Sequence, residues 1–272
     1  MDRRTTDITA IGGEILAALD GARQIVPFSA RGAELPLADA YRVSHWLERA
    51  RAVRGETSVG RKIGFTNRNI WAEYNVDTPN WGYVTTRSLR ELAGTPVLPL
   101  AAYLEPRIEP EIMFGLARAP SPGMDELALM NCIAWIAHGY EIVQSIFPQW
   151  KFTATDTTAA NAMHGALLVG ERRPVGDDGA TWLDALGRFE VALYRDGGLI
   201  DRGRGDAVLG NPVSALRHLV GLLARDPHNP PLQAGEIVST GTVTRAFPVA
   251  PGETWTTQIT GLPLPGVSLT FS

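Results

Sequence analysis

Three glutamates are unusual in this sequence because each interrupts a stretch of otherwise apolar residues. Glu109 and Glu111 lie in the segment RIEPEI, and Glu141 lies in the segment GYEIV. On an extended strand, residues two positions apart project from the same face, so Glu109 and Glu111 should lie side by side. Neighbouring carboxylates at the edge of a core repel each other unless a cation lies between them. Three carboxylates with no Cys or His nearby in sequence suit a hard divalent cation such as Mg²⁺ or Mn²⁺.

Composition narrows the classes of protein to which this chain can belong. The 272 residues are 44% hydrophobic, which is enough for a large core, and the formal net charge is −4. The absence of a basic block argues against a nucleic-acid partner. Acidic residues interrupt the apolar stretch near the N-terminus, which predicts neither a signal peptide nor a membrane span. The single Cys132 cannot form an internal disulfide and predicts a cytoplasmic location.

Hydrophobic periodicity and turn residues divide the chain into elements. The predicted helices cover residues 7–20, 36–53, 124–140 and 212–223. The predicted strands cover residues 60–66, 103–116 and 189–194, with further short strands from residue 236 onward. We expect two parts: a helical N-terminal region over residues 1–75 and a β-rich metal-binding catalytic core over residues 76–272.

Two prolines refine this division. Pro79 lies in the segment PNWG, which is typical of a turn. Pro110 lacks a backbone N–H, so we expect the strand that carries the acidic pair to lie at an edge of its sheet or to contain a bulge.

Several motifs occur in the same order as in a known family. They are GRKIGFT (60–66) with VDTPNWG (76–82), RIEPEI (107–112), EIV (141–143), Trp150 with Asp156-Thr157, GRG (203–205) with LGNP (209–212), and GEIV (235–238) with Thr240-Gly241. Together they resemble the 2-keto-4-pentenoate hydratase and 4-oxalocrotonate decarboxylase branch of the fumarylacetoacetate hydrolase superfamily. One departure is that the family's common ADNAS reads AANAM at residues 159–163 here.

The resemblance implies an α+β fold, in which a mixed β-roll core follows a helical N-terminal region. It also implies one Mg²⁺ or Mn²⁺, a small-molecule 2-oxo acid substrate and a homo-oligomer. The implied metal ligands are Glu109, Glu111 and Glu141. The implied catalytic residues are Lys62 and Asp77, and the implied substrate-binding residues are Asn161, Thr240 and Gly241.

The chemistry of such a site leaves three reactions open. A divalent ion can chelate the 2-oxo oxygen and the carboxylate of an α-keto acid and stabilise an enolate. We predict a metal-dependent lyase of aromatic catabolism, either a hydratase or a decarboxylase, acting on a 2-hydroxydienoate. The alternatives are a C–C hydrolase of an acylpyruvate such as maleylpyruvate and a non-catalytic partner subunit of a hydratase–decarboxylase complex.

Ordinary structural roles compete with each of these assignments. The glutamates could form a solvated strand face, Lys62 could extend its ammonium group to solvent, and Asp77 could cap the turn at Thr78-Pro79. His164 is either a structural histidine or a general acid or base. We also expect the segment Ala160–Ala162, together with His164, to line the substrate end of the pocket and to favour a dicarboxylic substrate.

Overall fold

The structure is a computed structural model that describes residues 6–32, 35–74 and 76–272. Its helices are α1 (Ile8–Asp20), α2 (Leu37–Val53), α3 (Trp71–Tyr74), α4 (Glu126–Met130), α5 (Ala154–Ala159), α6 (Gly179–Leu186) and α7 (Pro212–Leu223). Its strands are β1 (Ser58–Gly64), β2 (Asn80–Thr85), β3 (Leu89–Glu91), β4 (Val97–Leu98), β5 (Arg107–Leu116), β6 (Ile133–Val143), β7 (His164–Pro174), β8 (Glu190–Arg195), β9 (Gly198–Arg204), β10 (Ile237–Thr242), β11 (Phe247–Pro248), β12 (Thr254–Thr260) and β13 (Ser268–Phe271).

The strands form two mixed sheets. The larger sheet has the order β2-β1-β10-β5-β6-β7-β3, with β11 also paired to β5, and the smaller sheet has the order β4-β13-β12-β8-β9. Parallel pairs join β1 to β10, β3 to β7 and β4 to β13, and the other pairs are antiparallel. The larger sheet curls as in the expected β-roll, so the predicted α+β fold class is confirmed.

The N-terminal helices form where hydrophobic periodicity predicts them. The side chain of Asp7 accepts a hydrogen bond from the Ala10 N–H and caps α1, as an Asp at the N-cap position of a helix commonly does. The buried faces of α1 and α2 pack with residues of α5 into one apolar cluster, which includes Ile15, Leu47 and Ala159. Helix α7 also begins as predicted, with the Asn211 side chain accepting from the Val213 N–H.

The predicted helix over residues 124–140 is wrong. Only Glu126–Met130 is helical, and the following apolar run is the long strand β6. Periodicity cannot distinguish a fully buried strand from a buried helix, because both are apolar at every position and neither shows a polar face. The turn expected at residues 79–82 is also wrong, since all but Pro79 of this segment lies in β2. The consequence is that Glu141 lies on a strand in the middle of the larger sheet.

Pro110 lies in an interior strand, because β5 is flanked by β10 and β6. The edge position expected for it is therefore wrong, but the expected irregularity is present on the neighbouring strand. The register between β10 and β5 shifts between Ser239 and Thr242, opposite Met113 and Glu111. The carbonyl of Pro110 accepts a hydrogen bond from Val243, just beyond this shift, so the missing N–H is accommodated beside a bulge.

The division expected at residues 75 and 76 stays a prediction. Strand β1 lies before that boundary in sequence, yet it pairs with β2 and β10 inside the larger sheet. Among the described residues, we find no helix with both the length and the apolar character needed to cross a membrane.

A buried histidine connects the two sheets. His138 on β6 has its Nδ1 3.0 Å from the Glu111 carbonyl oxygen and its Nε2 2.9 Å from Thr257 Oγ1 on β12. Burial lowers the pKa of His138 to about 4, so the ring is neutral at pH 7. In the neutral ring, the Nδ1–H donates to the carbonyl and Nε2 accepts from the hydroxyl.

We predict that His138→Ala lowers the free energy of unfolding by about 2–4 kcal/mol, because it leaves buried polar partners unmatched and creates a cavity. The folded-state pKa lies below the unfolded value of about 6.5, so this contribution is fully present above pH 6.5 and falls as the pH is lowered towards 4. Denaturant unfolding of the wild type and the variant at several pH values measures both effects. His228→Ala is the exposed control; a stability difference that grows on acidification would contradict the assignment.

Candidate metal centre and active site

The three glutamates predicted as metal ligands meet on one face of the larger sheet. Glu109 and Glu111 are alternate residues of β5, and Glu141 lies directly opposite Glu109 in the register of β5 and β6. One carboxylate oxygen of each lies within 4.8 Å of the others. Glu109 is 9% exposed, and Glu111 and Glu141 are 1% and 0% exposed. The arrangement follows from strand geometry, because side chains at i and i+2 share a face with the directly opposite residue of the next strand.

The hydrogen bonds to these carboxylates do not satisfy every buried oxygen. Oε2 of Glu111 accepts from Ser239 Oγ and from the Gly241 N–H, the latter at 3.0 Å. Oε1 of Glu141 accepts from His164 Nδ1 at 2.7 Å. Oε1 of Glu111 is buried without a hydrogen-bond partner, and Oε2 of Glu141 is buried 3.3 Å from the Lys62 ammonium group. Carboxylate oxygens that converge in a buried cluster fit a hard divalent cation.

Lys62 brings a buried positive charge to the same face. Its side chain is 3% exposed, and Nζ donates to the Ala162 carbonyl at 2.9 Å and lies 3.3 Å from Glu141 Oε2. Strand β1 places it there, because Lys62 lies opposite Ser239 on β10, which in turn pairs with β5. The ordinary alternative, an ammonium group extended to solvent, does not hold for this residue.

Electrostatics within the cluster are unfavourable without a further cation. Burial, followed by the repulsion of the other carboxylates, raises the pKa of Glu109 and Glu111 well above the ordinary glutamate value. Burial also raises the pKa of Glu141, although Lys62 opposes this shift. Burial alone would lower the pKa of Lys62, but the three carboxylates together raise it. One ammonium group thus faces three carboxylates, which leaves an excess of negative charge for a metal ion to balance.

His164 occupies the first position of β7 and contacts the cluster directly. Besides Glu141, its ring reaches Ser88 Oγ through Nε2 at 2.8 Å, and it is 5% exposed. Burial and the nearby Lys62 hold the pKa of His164 well below its usual value, so the ring is neutral. The Nδ1–H then donates to Glu141 and Nε2 accepts from Ser88. This geometry fixes the orientation of the Glu141 carboxylate and leaves neither ring nitrogen facing a substrate.

A cavity opens onto the cluster at Glu109. Its lining residues are Lys62, Ile63, Gly64, Phe65, Asn80, Glu109, Val143, Trp150, Phe152, Ala162, Met163, Thr242 and Ala246. Two larger surface clefts, of about 450 and 680 Å³, contain none of the three glutamates, so we place the active site in the smaller cavity.

Asn80 is a cavity residue that the sequence reasoning missed. Its Nδ2 donates to Thr157 and Thr158 at 3.1 and 3.2 Å, while its Oδ1 is buried without a partner. That oxygen can accept a hydrogen bond from a ligand. The only signal in the sequence is a polar residue beside Trp81, in a segment that we interpreted as a turn. No pattern in the sequence pointed to Ser239, whose hydroxyl group donates to the Glu111 carboxylate.

The remaining predicted site residues differ in their placement. Asp77 is exposed and lines one of the larger clefts with Arg68 and Trp71, so the structure does not bring it to the carboxylates. Gly241 supports Glu111 through its N–H, as described above. Its φ of 99° is a left-handed value, and a Cβ there would lie 1.8 Å from Thr66 Oγ1, so this position requires glycine.

The side-chain hydrogen bonds of Asn161 and Thr240 are made within the protein. The Asn161 amide exchanges hydrogen bonds with the backbone of Tyr83 at 2.7 and 3.0 Å. Thr240 Oγ1 donates to the Ile112 carbonyl at 2.9 Å. Their substrate-binding role stays a prediction, and this geometry favours a structural one. Ala160 packs in the N-terminal apolar cluster and does not line the cavity.

Comparisons with known proteins agree with this fold. No protein-family model matches the chain. The chain is 31% identical over 252 residues to 2-hydroxyhexa-2,4-dienoate hydratase from Comamonas testosteroni, across 92% of this chain and 93% of that relative. It is 32% identical over 232 residues to 4-oxalocrotonate decarboxylase from Pseudomonas sp. strain CF600, across 84% of each. The structure of 4-oxalocrotonate decarboxylase from Pseudomonas putida G7 complexed with magnesium and adipate has a TM-score of 0.88 and 28% identity over the whole of both chains.

The fold is that of the fumarylacetoacetate hydrolase superfamily. Solved structures of fumarylacetoacetate hydrolase family proteins share it with TM-scores of 0.56 at 13–15% identity, a level that shows the fold alone. The chain belongs to the family of 2-keto-4-pentenoate hydratases and 4-oxalocrotonate decarboxylases.

We predict that Glu111→Gln and Glu141→Gln each weaken Mn²⁺ binding at least about a hundredfold, because each replaces a charged ligand in a buried site. Isothermal titration of the metal-free protein with Mn²⁺ measures the effect. Glu171→Gln is the matched control, since Glu171 is exposed and pairs with Arg173. Mn²⁺ affinity unchanged in both variants would refute the metal centre.

We predict that His164→Ala weakens Mn²⁺ binding about 10–100-fold, because Glu141 Oε1 loses the donor that orients its carboxylate. His164→Asn, which keeps a side-chain N–H donor, should recover part of the affinity. The same Mn²⁺ titration measures both variants, with thermal unfolding as a check on folding. Full affinity in a folded His164→Ala protein would show that this hydrogen bond does not position the ligand.

Proposed function

We propose that this protein is a Mg²⁺- or Mn²⁺-dependent lyase of aromatic catabolism that hydrates or decarboxylates a 2-hydroxydienoate or its 2-oxo tautomer. The observation that carries the proposal is the buried triad of Glu109, Glu111 and Glu141, in which Glu109 lines a cavity and Glu111 has a buried oxygen without a hydrogen-bond partner. Named relatives of the chain include hydratases and decarboxylases, and one solved relative is complexed with magnesium.

In this proposal the three carboxylates hold the metal ion. When bound, the ion supplies Lewis-acid polarisation of the 2-oxo acid and favours negative charge on its oxygens. Ser239 and Gly241 fix the Glu111 carboxylate and His164 fixes that of Glu141, so both are oriented before the metal or substrate arrives. Such preorganisation reduces the reorganisation needed during the reaction.

Lys62 supplies the positive charge that an anionic substrate needs. Burial opposes the charged form of Lys62, but the neighbouring carboxylates raise its pKa and favour the protonated ammonium group. The ammonium group lines the cavity beside Glu109. There it attracts the substrate carboxylate and can donate a proton to carbon or oxygen as charge develops.

Two further features of the cavity suit this chemistry. Asn80 Oδ1 can accept a hydrogen bond from a substrate hydroxyl or from the water that adds to a double bond. The apolar lining limits the entry of other water molecules, which strengthens the electrostatic interactions inside. Asp77 stays a predicted catalytic residue without a contact to the cluster. Homo-oligomeric assembly and a cytoplasmic location also stay predictions.

Product identification separates the possible reactions. We expect the Mg²⁺-loaded protein to convert a 2-hydroxydienoate into a hydroxy-oxo acid if it is a hydratase, and to release CO2 from 4-oxalocrotonate if it is a decarboxylase. Chromatography and a CO2 assay, with chelator-treated protein as the control, measure these products. Pyruvate plus a second acid from an acylpyruvate would instead identify a C–C hydrolase. A metal-loaded protein with no turnover of any of them would refute the lyase proposal and favour the partner-subunit role.

We predict that Lys62→Met reduces kcat at least about a hundredfold while the protein stays folded. Mn²⁺ binding should be retained or tightened, because the variant removes a positive charge 3.3 Å from Glu141. The matched control is Lys151→Met, since Lys151 is exposed and is the only other lysine in the sequence. Near-normal kcat in Lys62→Met would exclude a catalytic role for this ammonium group.

A further inference from the structure

A surface cleft between α7 and residues 68–79 carries an excess of positive charge. Its volume is about 450 Å³, which is in the range of small-molecule sites. Its charged lining residues are Arg68, Arg217, Arg225 and Asp77. Among the lining residues that the structure describes, three guanidinium groups thus accompany one carboxylate, whereas the whole chain has a formal net charge of −4. We call this site the basic cleft.

Helix α7 supplies one wall of the basic cleft. Three of its lining residues, Ser214, His218 and Gly221, follow one another at intervals of four and three residues, so they share one face of the helix. Arg225 continues this row just beyond the end of the helix, and Arg217 lies beside it. The spacing therefore directs two guanidinium groups and one imidazole to the same cleft.

The arginines of the basic cleft make no strong ion pair. Nη2 of Arg217 lies 4.0 Å from Glu126 Oε1, and the Arg217 side chain is 59% exposed, so this pair is weak. The Arg68 guanidinium lies over the Trp71 ring, 5.7 Å from its centroid. Among the side chains that the structure describes, neither Arg68 nor Arg225 forms a salt bridge. All three guanidinium groups can therefore bind an anion without breaking a strong pair.

Two uncharged residues of α7 also suit a ligand in the cleft. Nε2 of His218 is buried without a hydrogen-bond partner. Burial and the nearby Arg225 lower the pKa of His218, so the ring is neutral at pH 7 and Nε2 can donate or accept. A Cβ at Gly221 would meet only Arg225 Nη1, at an ordinary 3.8 Å, so packing within the chain does not require this glycine. Glycine is unfavourable inside a helix, but here it leaves the floor of the cleft open.

The basic cleft is separate from the proposed active site. None of the three glutamates lines it. One connection between the two sites is Trp71, which lines the cleft and whose Nε1 donates to the Phe65 carbonyl at 2.8 Å. Phe65 in turn lines the active-site cavity. A ligand in the cleft would thus lie near a residue hydrogen-bonded to the cavity wall, and not at the metal centre.

We infer that the basic cleft binds the phosphate group of a small anion, either inorganic phosphate or a phosphomonoester. The planar fork of N–H donors in arginine matches phosphate oxygens and binds them through paired hydrogen bonds. A phosphomonoester carries a charge of about −1.5 to −2 at pH 7. Three guanidinium groups and one carboxylate leave two positive charges, which match that anion better than a monocarboxylate. The inference does not rest on the proposed function, because it concerns a different cleft and requires no turnover.

Titration with inorganic phosphate tests the inference directly. The broadening of the phosphate ³¹P NMR line by the full, Mg²⁺-loaded chain at fixed ionic strength gives the phosphate affinity, and added acetate tests for displacement. We expect the Kd of acetate to be at least about tenfold higher than that of phosphate, because acetate has one charge and two oxygens. No phosphate binding, or a Kd of acetate equal to that of phosphate, would overturn the inference.

Glucose 6-phosphate identifies the source of the phosphate group. A Kd below that of inorganic phosphate supports a phosphorylated metabolite, because the rest of the molecule then adds contacts in the cleft, whereas a higher Kd supports free phosphate. Glucose lacks the phosphate group and should not displace phosphate. Displacement by glucose would refute recognition of phosphate.

A double variant locates the binding in the basic cleft. Arg217→Gln combined with Arg225→Gln should raise the Kd of phosphate at least about tenfold, because it removes two of the three guanidinium groups. The matched control combines Arg87→Gln with Arg188→Gln, whose side chains are 73% and 68% exposed outside the cleft and which removes the same charge. An unchanged Kd in the cleft variant, or an equal increase in both variants, would refute the assignment.

A further variant separates the basic cleft from the metal centre, where a bound metal ion could also attract phosphate. Glu111→Gln weakens the metal centre and should leave the Kd of phosphate unchanged. Loss of phosphate binding in this variant would place the anion at the metal centre and overturn the inference. Phosphate binding at the cleft without turnover of any 2-hydroxydienoate would uphold the inference and refute only the lyase proposal.

Discussion

Three buried carboxylates that share one buried ammonium group impose the main constraint on this fold. Charged groups are costly inside a protein unless each is paired and hydrogen-bonded. The centre of the larger sheet is arranged to meet that need: β1 contributes Lys62, β10 contributes two donors to Glu111, and β7 contributes His164 to Glu141. Negative charge still exceeds positive charge, and the unpartnered oxygen of Glu111 lies in the cluster of carboxylates where a divalent ion would balance it.

The same constraint explains why the backbone around the site departs from regular geometry. The register shift in β10 brings the Gly241 N–H to Glu111, and glycine is needed there because a Cβ would collide with Thr66. On the other side of the cavity, the left-handed residues Asn161 to Met163 present the Ala162 carbonyl to Lys62 and the Met163 side chain to the cavity. The bulge interrupts the regular hydrogen bonding between β10 and β5, and the turn holds its residues at unfavourable φ values. Both irregularities place groups at the metal centre.

The sequence predicts part of this site and fails on the rest for a physical reason. The i, i+2 spacing of Glu109 and Glu111 requires a shared strand face, so their proximity is local information. The position of Glu141 opposite Glu109 depends on strand register, which a single buried apolar run does not encode; that run even fits a helix. Asn80 and Ser239 are equally non-local, since each lies near the glutamates only after β1, β2 and β10 have paired. The family resemblance identified Lys62 as a site residue. In contrast, the hydrogen bonds between Asn161 and Tyr83 could be seen only in the folded structure.

We infer that the fold creates one hard-cation site between β5 and β6. Crystallography of the protein grown with Mn²⁺, with data collected at the manganese absorption edge, tests it most directly. We expect a single strong anomalous peak within about 2.0–2.3 Å of carboxylate oxygens from Glu109, Glu111 and Glu141. A structure with the three side chains in place and no anomalous peak among them, or with manganese bound only elsewhere, would contradict it.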